Sequence, residues 1–106
     1  MEVKILRFAL GEIGGHDVLA GAGTGRKVCA ALLAALGAPK DPTLCLLDFR
    51  GVSVATSSFL REAVLRFRDA ARAGGTPVYP AVANANAEVA EELDDLLRTR
   101  ADAMVA

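Results

Sequence analysis

The sequence has little with which to do metal, redox or hydrolytic chemistry. It holds two cysteines and one histidine in 106 residues. Neither Cys29 nor Cys45 belongs to a Cys-x-x-Cys pair, which removes the common zinc and redox spacings. Set between Val28 and Ala30, and between Leu44 and Leu46, both read as small buried hydrophobes. A disulfide between them stays open from sequence, and a reducing compartment would keep both as thiols. His16 has no Gly-x-Ser-x-Gly elbow to serve, and a triad would have to gather His16, Ser58 and Asp48 from distant positions. No catalytic residue, metal-ligand set or cofactor is assigned.

Charge of one sign is also lacking. Twelve basic residues face 13 acidic ones, and the net charge of −1 gives no general attraction for nucleic acid or membrane. The longest apolar run, residues 28–38, falls well short of the ~20 residues that span a bilayer. The first eight residues interrupt their apolar side chains with Glu2, Lys4 and Arg7, unlike a signal peptide. A soluble, cytoplasmic protein is expected. Arginine outnumbers lysine and alanine is abundant, the usage of a GC-rich bacterial genome. No repeat, linker or low-complexity segment is present, and the length fits one domain over 1–106. With 53% hydrophobic and 24% charged residues the chain is not disordered.

Residues 2–10 carry Val3, Ile5 and Phe8 in partial alternation and predict a strand. Residues 11–15 predict a turn and 16–20 a short second strand, completing a hairpin. Gly21-Ala-Gly-Thr-Gly predicts a loop, with Thr24 as N-cap of a helix over 26–36 that buries Val28, Leu32, Leu33 and Leu36. Gly37 ends that helix, and Pro39 and Pro42 block its continuation. Residues 43–49 form a near-continuous apolar run, as in a parallel strand buried on both faces. Ser57 or Ser58 opens a second helix to about residue 73, with Leu60, Val64, Phe67 and Ala71 as its buried stripe. Residues 76–83 predict an edge strand containing Pro77 and Pro80. Asn86 caps a third helix, about 87–100, that buries Val89, Leu93, Leu96 and Leu97. The order predicts an α/β fold: a single-layer mixed sheet, an N-terminal hairpin followed by parallel strands, with three or four helices.

Residues 44–62, Leu-Cys-Leu-Leu-Asp-Phe-Arg-Gly-Val-Ser-Val-Ala-Thr-Ser-Ser-Phe-Leu-Arg-Glu, resemble the STAS superfamily, which includes bacterial anti-sigma-factor antagonists. The match is closer to a STAS-like family of unknown function whose helix opens with Ser-Phe-x-x-Glu. Ser58, Phe59 and Glu62 fit that opening, and Asp48-Phe49 with Gly51-Val52 fit the preceding strand end. Residues 82–89 also look like that family's strand-to-helix step. The resemblance implies a non-enzymatic regulator that binds another protein, of the kind a kinase or anti-sigma-type ATPase represents. It also implies phosphorylation of a serine at this helix start by an ATP-dependent kinase, with Ser57 the closer positional match. The chain departs from the regulators at Thr56, where they carry Asp, and at Phe59, where they carry Gly. Neither nucleic acid nor membrane is expected as a partner, and a homodimer is compatible with the sequence.

Read physically, one of Ser57 and Ser58 caps the helix while the other is open to modification. A phosphate there would meet the helix dipole and add about −1.5 to −2 of charge, with Arg61 in reach. Arg61, Leu65, Arg68 and Arg72 share one face at helical spacing, with a Glu62–Arg66 pair beside them. That face is either simply solvated or a docking surface for an acidic partner, with Leu65 as an exposed anchor. Gly23, Thr24, Gly25, Arg26 and Lys27 match neither the P-loop nor the dinucleotide fingerprint. As a helix start they offer a second reading, a small-anion or nucleotide site shared with residues 56–58. Asp48 reads as an acceptor for local backbone. The small net charge also hides segregation. Residues 1–55 have six bases and five acids, 56–83 four and two, and 84–106 two and six, including Glu88, Glu91, Glu92, Asp94 and Asp95.

Overall fold

The computed structural model describes residues 3–99. The chain runs β1 (Lys4–Ala9), α1 (Leu10–Gly14), β2 (Val18–Leu19), α2 (Ala22–Leu36), β3 (Thr43–Asp48) and β4 (Val54–Ala55). It continues through α3 (Ser57–Leu60), a π-helical segment (Arg61–Leu65), α4 (Arg66–Arg72), β5 (Val78–Ala83) and α5 (Ala87–Thr99). Glu2 and Arg100, the outer limits expected for the first strand and last helix, lie outside the described residues. The α/β class and the parallel later strands stand as expected.

The hairpin does not form. β1, β3 and β5 make one parallel sheet in that order, and β2 pairs in parallel with β4 in a second, two-stranded sheet. Residues 11–15 do not turn the chain back on β1. They lie in the short helix α1, which is anchored by buried Leu10 and closed by Gly15 at φ 78°. A five-residue helix containing two glycines has no amphipathic repeat to announce it.

The order β1-β3-β5 fixes where the helices sit. Each crossover steps the same way across the sheet, and right-handed crossovers that do so place their helices on one face. Burial agrees. Phe8, Cys45, Leu47 and Val78 join Val28, Leu32, Leu60, Val64, Phe67, Val89 and Leu93 in one core, and the Phe8 and Phe67 rings meet edge to face at 6.4 Å. Leu44 and Leu46, with opposite parity, are only half-buried. The expectation that residues 43–49 are buried on both faces is therefore corrected: among the described residues, helices cover one face only.

Helix α2 begins four residues before its expected start, at Ala22 with Gly21 as N-cap, so Thr24 caps nothing and the Gly-rich stretch is the helix's first turn. Gly37, at φ 63°, closes it. Asn86 caps α5 as expected, its Oδ1 accepting from the Val89 N–H at 2.8 Å. Both cysteines are free and buried, and burial pushes both thiols up from their ordinary pKa. No helix among the described residues is long and apolar enough to cross a membrane.

Candidate partner-binding site at two paired helix starts

The short β2/β4 ladder sets the site. Val18 lies opposite Val54 and Leu19 opposite Ala55, and each strand runs directly into a helix, β2 into α2 and β4 into α3. The two helix starts are therefore neighbours. Thr56 ties them: its N–H donates to Leu19 O at 3.0 Å, and its Oγ1 accepts from Gly21 N–H at 3.0 Å and Phe59 N–H at 3.3 Å. Thr56 is thus the N-cap of α3 and also receives the N-cap amide of α2. Neither Ser57 nor Ser58 performs the capping expected of one of them, because Thr56 already holds the extended conformation that a cap needs.

Thr56→Ala should lower stability by about 1–2 kcal/mol, since two helix-start amides lose one acceptor. Thr56→Ser should restore most of it. Equilibrium urea unfolding of the three proteins measures this, and a Thr56→Ala protein as stable as the parent would contradict the double-cap role.

The serines differ. Ser58 Oγ lies 3.2 Å from Thr56 Oγ1 and shares a hydrogen bond with it. The Ser57 hydroxyl makes no hydrogen bond among the described residues and reaches solvent, since no buried side-chain oxygen lacks a partner. Ser57 is therefore the freer hydroxyl. Arg61, one turn on, is exposed.

The proposed anion loop is a helix crossing. A Cβ on Gly25 would lie 2.7 Å from Phe59 O and 2.8 Å from Glu62 Cβ, so the α2 backbone packs directly against the backbone of the Ser57 helix. No phosphate fits between them there. Arg26 is in the second turn of α2 and pairs with Glu62 of the facing helix at 3.5 Å, while Glu62 also meets Arg66 at 3.3 Å. The Arg26 charge thus lies beyond the first turn of α2 and is partnered. Gly23 and Lys27 are exposed, and Thr24 is half-buried.

The arginine-lined face is also corrected. Leu65 is fully buried, and Arg68 is buried with its guanidinium on Asp69 Oδ1 at 3.0 Å. Only Arg61 and Arg72 stay exposed. The π segment explains this. Its wider turn rephases the helix, so positions that share a solvent face at 3.6 residues per turn rotate inward, and Ala63, Val64 and Leu65 are buried consecutively. Nothing in the residue spacing marks a π turn.

Beside the helix starts lies an exposed surface that is apolar and acidic. Val18 and Val54, adjacent in the ladder, are 49% and 39% exposed. Val54 and Ala55 floor a groove whose wall is the acidic face of α5, Glu88, Glu91, Glu92 and Asp95. Asn86 fixes that wall to the β4 approach through its Nδ2, which donates to Val52 O at 3.2 Å and Ser53 O at 3.0 Å.

A second polar cluster lies at the C-terminal end of the main sheet. Asp48, 2% exposed, accepts from Asn84 Nδ2 at 2.9 Å, Arg50 N–H at 2.9 Å and Arg7 Nε at 2.6 Å, and forms an ion pair with Arg7. Arg7 belongs to β1, Asp48 to β3, and Asn84, at φ 56°, follows β5. The Asn84 hydrogen bond, against the opposing effect of burial and with the help of Arg50 N–H and Arg7, holds the Asp48 carboxyl at a pKa of about 2. Every acceptor direction is engaged across three strands, so this carboxylate is a clasp rather than a general base. Local backbone capping was the expected role, and the Arg50 N–H contact fulfils it. The two long-range partners had no signal in the sequence.

Comparison with protein-family models gives no match, and neither curated proteins nor solved structures match the chain.

Proposed function

We propose that this chain is a STAS-like, non-enzymatic regulatory domain of a bacterial cytoplasm that acts by binding another protein. The observation that carries the reading is the exposed Val18–Val54 pair, set between an acidic groove and a helix start whose first hydroxyl is free. Two aliphatic side chains exposed side by side on paired strands suit an anchor, and the carboxylates of α5 select a partner with basic residues flanking its own apolar contact. The similarity of residues 44–62 to the STAS superfamily supports a kinase or anti-sigma-type ATPase as the class of partner. Phosphorylation at Ser57 would add a dianion at a helix N-terminus one turn before Arg61, changing the charge that the partner meets.

Co-purification from the native host, with mass spectrometry of the bound protein and of the Ser57–Ser58 peptide, tests this. The expected result is one stoichiometric partner and phosphate on Ser57. Phosphate on Ser58 alone would contradict the assignment of the free hydroxyl. Recovery of neither partner nor phosphate would contradict the reading.

A further inference from the structure

The C-terminal ends of β1 and β3 border a cavity of about 470 Å³, lined by Arg7, Ala9, Glu12, Asp48 and Arg50. The crevice outside the carboxyl ends of parallel strands is where open α/β sheets take ligands. Buried Asp48 sets the frame. It holds Arg7 through Nε and Nη2, which fixes the guanidinium and leaves Nη1 without a partner among the described residues. From Arg50 it takes only the backbone N–H, so that side chain is left over. Arg50 and Glu12 are both exposed, and neither side chain makes an ion pair or hydrogen bond among the described residues.

We propose that this cavity binds a free α-amino acid, its carboxylate on Arg50 and the open edge of Arg7 and its ammonium on Glu12. Charge argues for a zwitterion. Arg7 and Asp48 cancel within their own ion pair. What remains is one cation, Arg50, and one carboxylate, Glu12, that border the same cavity without meeting. A bare anion would gain Arg50 and be repelled by Glu12, and a bare cation would meet the reverse. A molecule carrying both charges gains a charge-assisted hydrogen bond from each. Size agrees, since the volume lies within the range of small-molecule sites. Arg50 and Glu12 also border an adjoining groove that reaches His16 and Asp17, which gives the amino acid's side chain room. Both binding groups are open to solvent, so screening limits the affinity to a dissociation constant on the order of 1 mM. No residue of this cavity belongs to the Val18–Val54 site, so the two proposals fail independently.

Amide chemical shifts of the isotope-labelled full chain should be followed by NMR as each proteinogenic amino acid is added at about 2 mM, with hits titrated to saturation. Acetate, methylammonium and inorganic phosphate serve as probes of a single charge sign. The expected result is at least one amino acid with saturable shifts centred on Ala9, Glu12 and Arg50, and single-sign probes that bind at least about tenfold more weakly. Arg50→Gln and Glu12→Gln, which alter only exposed side chains and keep the backbone contact to Asp48, should each weaken the amino acid at least about tenfold. Glu12→Gln should at the same time strengthen phosphate, because the repelling carboxylate is gone. Shifts remote from the cavity in the unliganded variants should match the parent, showing both still folded. No shift with any amino acid would overturn the inference, as would saturable shifts centred elsewhere. Phosphate or acetate binding as tightly as the best amino acid, the outcome of a plain anion site, would also overturn it, and so would variants that bind as the parent does.

Discussion

Asp48→Ala should destabilise the domain by about 3 kcal/mol, enough to lower its melting temperature by more than about 10 °C. The carboxylate is buried and receives Asn84, Arg50 N–H and Arg7, so its removal leaves donors from three segments without an acceptor. The pH dependence follows with a definite sign. The carboxyl has a pKa of about 2 in the folded state against 3.8 for an unperturbed aspartate, so folding favours the ionised form. Its contribution, about 2 kcal/mol by linkage, is complete above the unfolded pKa and is lost as pH falls from about 4 through 2. Asp48→Asn, which cannot ionise, should lose that much less stability than the parent between pH 5 and pH 2. Urea unfolding across that interval measures the difference. Parallel pH profiles for the two proteins would show that the clasp is not held by charge.

Gly25→Ala should destabilise the domain by about 2 kcal/mol, and Gly25→Val should cost more or prevent folding. The direction opposes helix propensity, which favours alanine over glycine by about 1 kcal/mol. The cause is contact: the added Cβ would meet Phe59 O at 2.7 Å, Glu62 Cβ at 2.8 Å and Ala63 N at 3.3 Å, two of them backbone atoms that cannot swing away. Gly23→Ala, on the same turn, is the internal control. Its nearest neighbour is the flexible end of Arg26 at 4.0 Å, so the propensity term is unopposed and stability should rise by up to about 1 kcal/mol. Thermal unfolding of both proteins compares them. A Gly25→Ala protein that gains stability as Gly23→Ala does would remove the close crossing from the account.

Local patterns carried much of the fold. The stripe of Leu60, Val64, Phe67 and Ala71, the Asn86 cap, the stop at Gly37 and the Glu62–Arg66 pair all follow from spacing and residue chemistry within a few residues, and each is present. Pairing over long range was not legible in the same way. The apolar run in β3 looks the same whether helices cover one face or two, and only the strand order, with both crossovers stepping in one direction, decides. A two-residue strand such as β4 is too short to show alternation, so the ladder that brings the two helix starts together had no signature. The candidate site was legible in part. Ser58 and the start of α2 do meet, through Thr56, with Ser57 beside them. Leu65 and Arg68 were misplaced because periodicity assumes a uniform 3.6-residue turn, and a π segment intervenes. Val18 and Val54 have no signal in the sequence because a single exposed valine is ordinary, and only their cross-strand pairing makes them a surface.

The claim that this domain binds a protein through the Val18–Val54 surface is tested most directly by titrating the partner recovered from the host against two variants. Val18→Lys/Val54→Lys changes only exposed side chains at that surface, and Ile5→Lys changes an exposed side chain on the bare sheet face. The valine variant should lose affinity by at least about thirtyfold with its circular dichroism unchanged, while Ile5→Lys binds as the parent does. Unaltered binding by the valine variant would contradict the account.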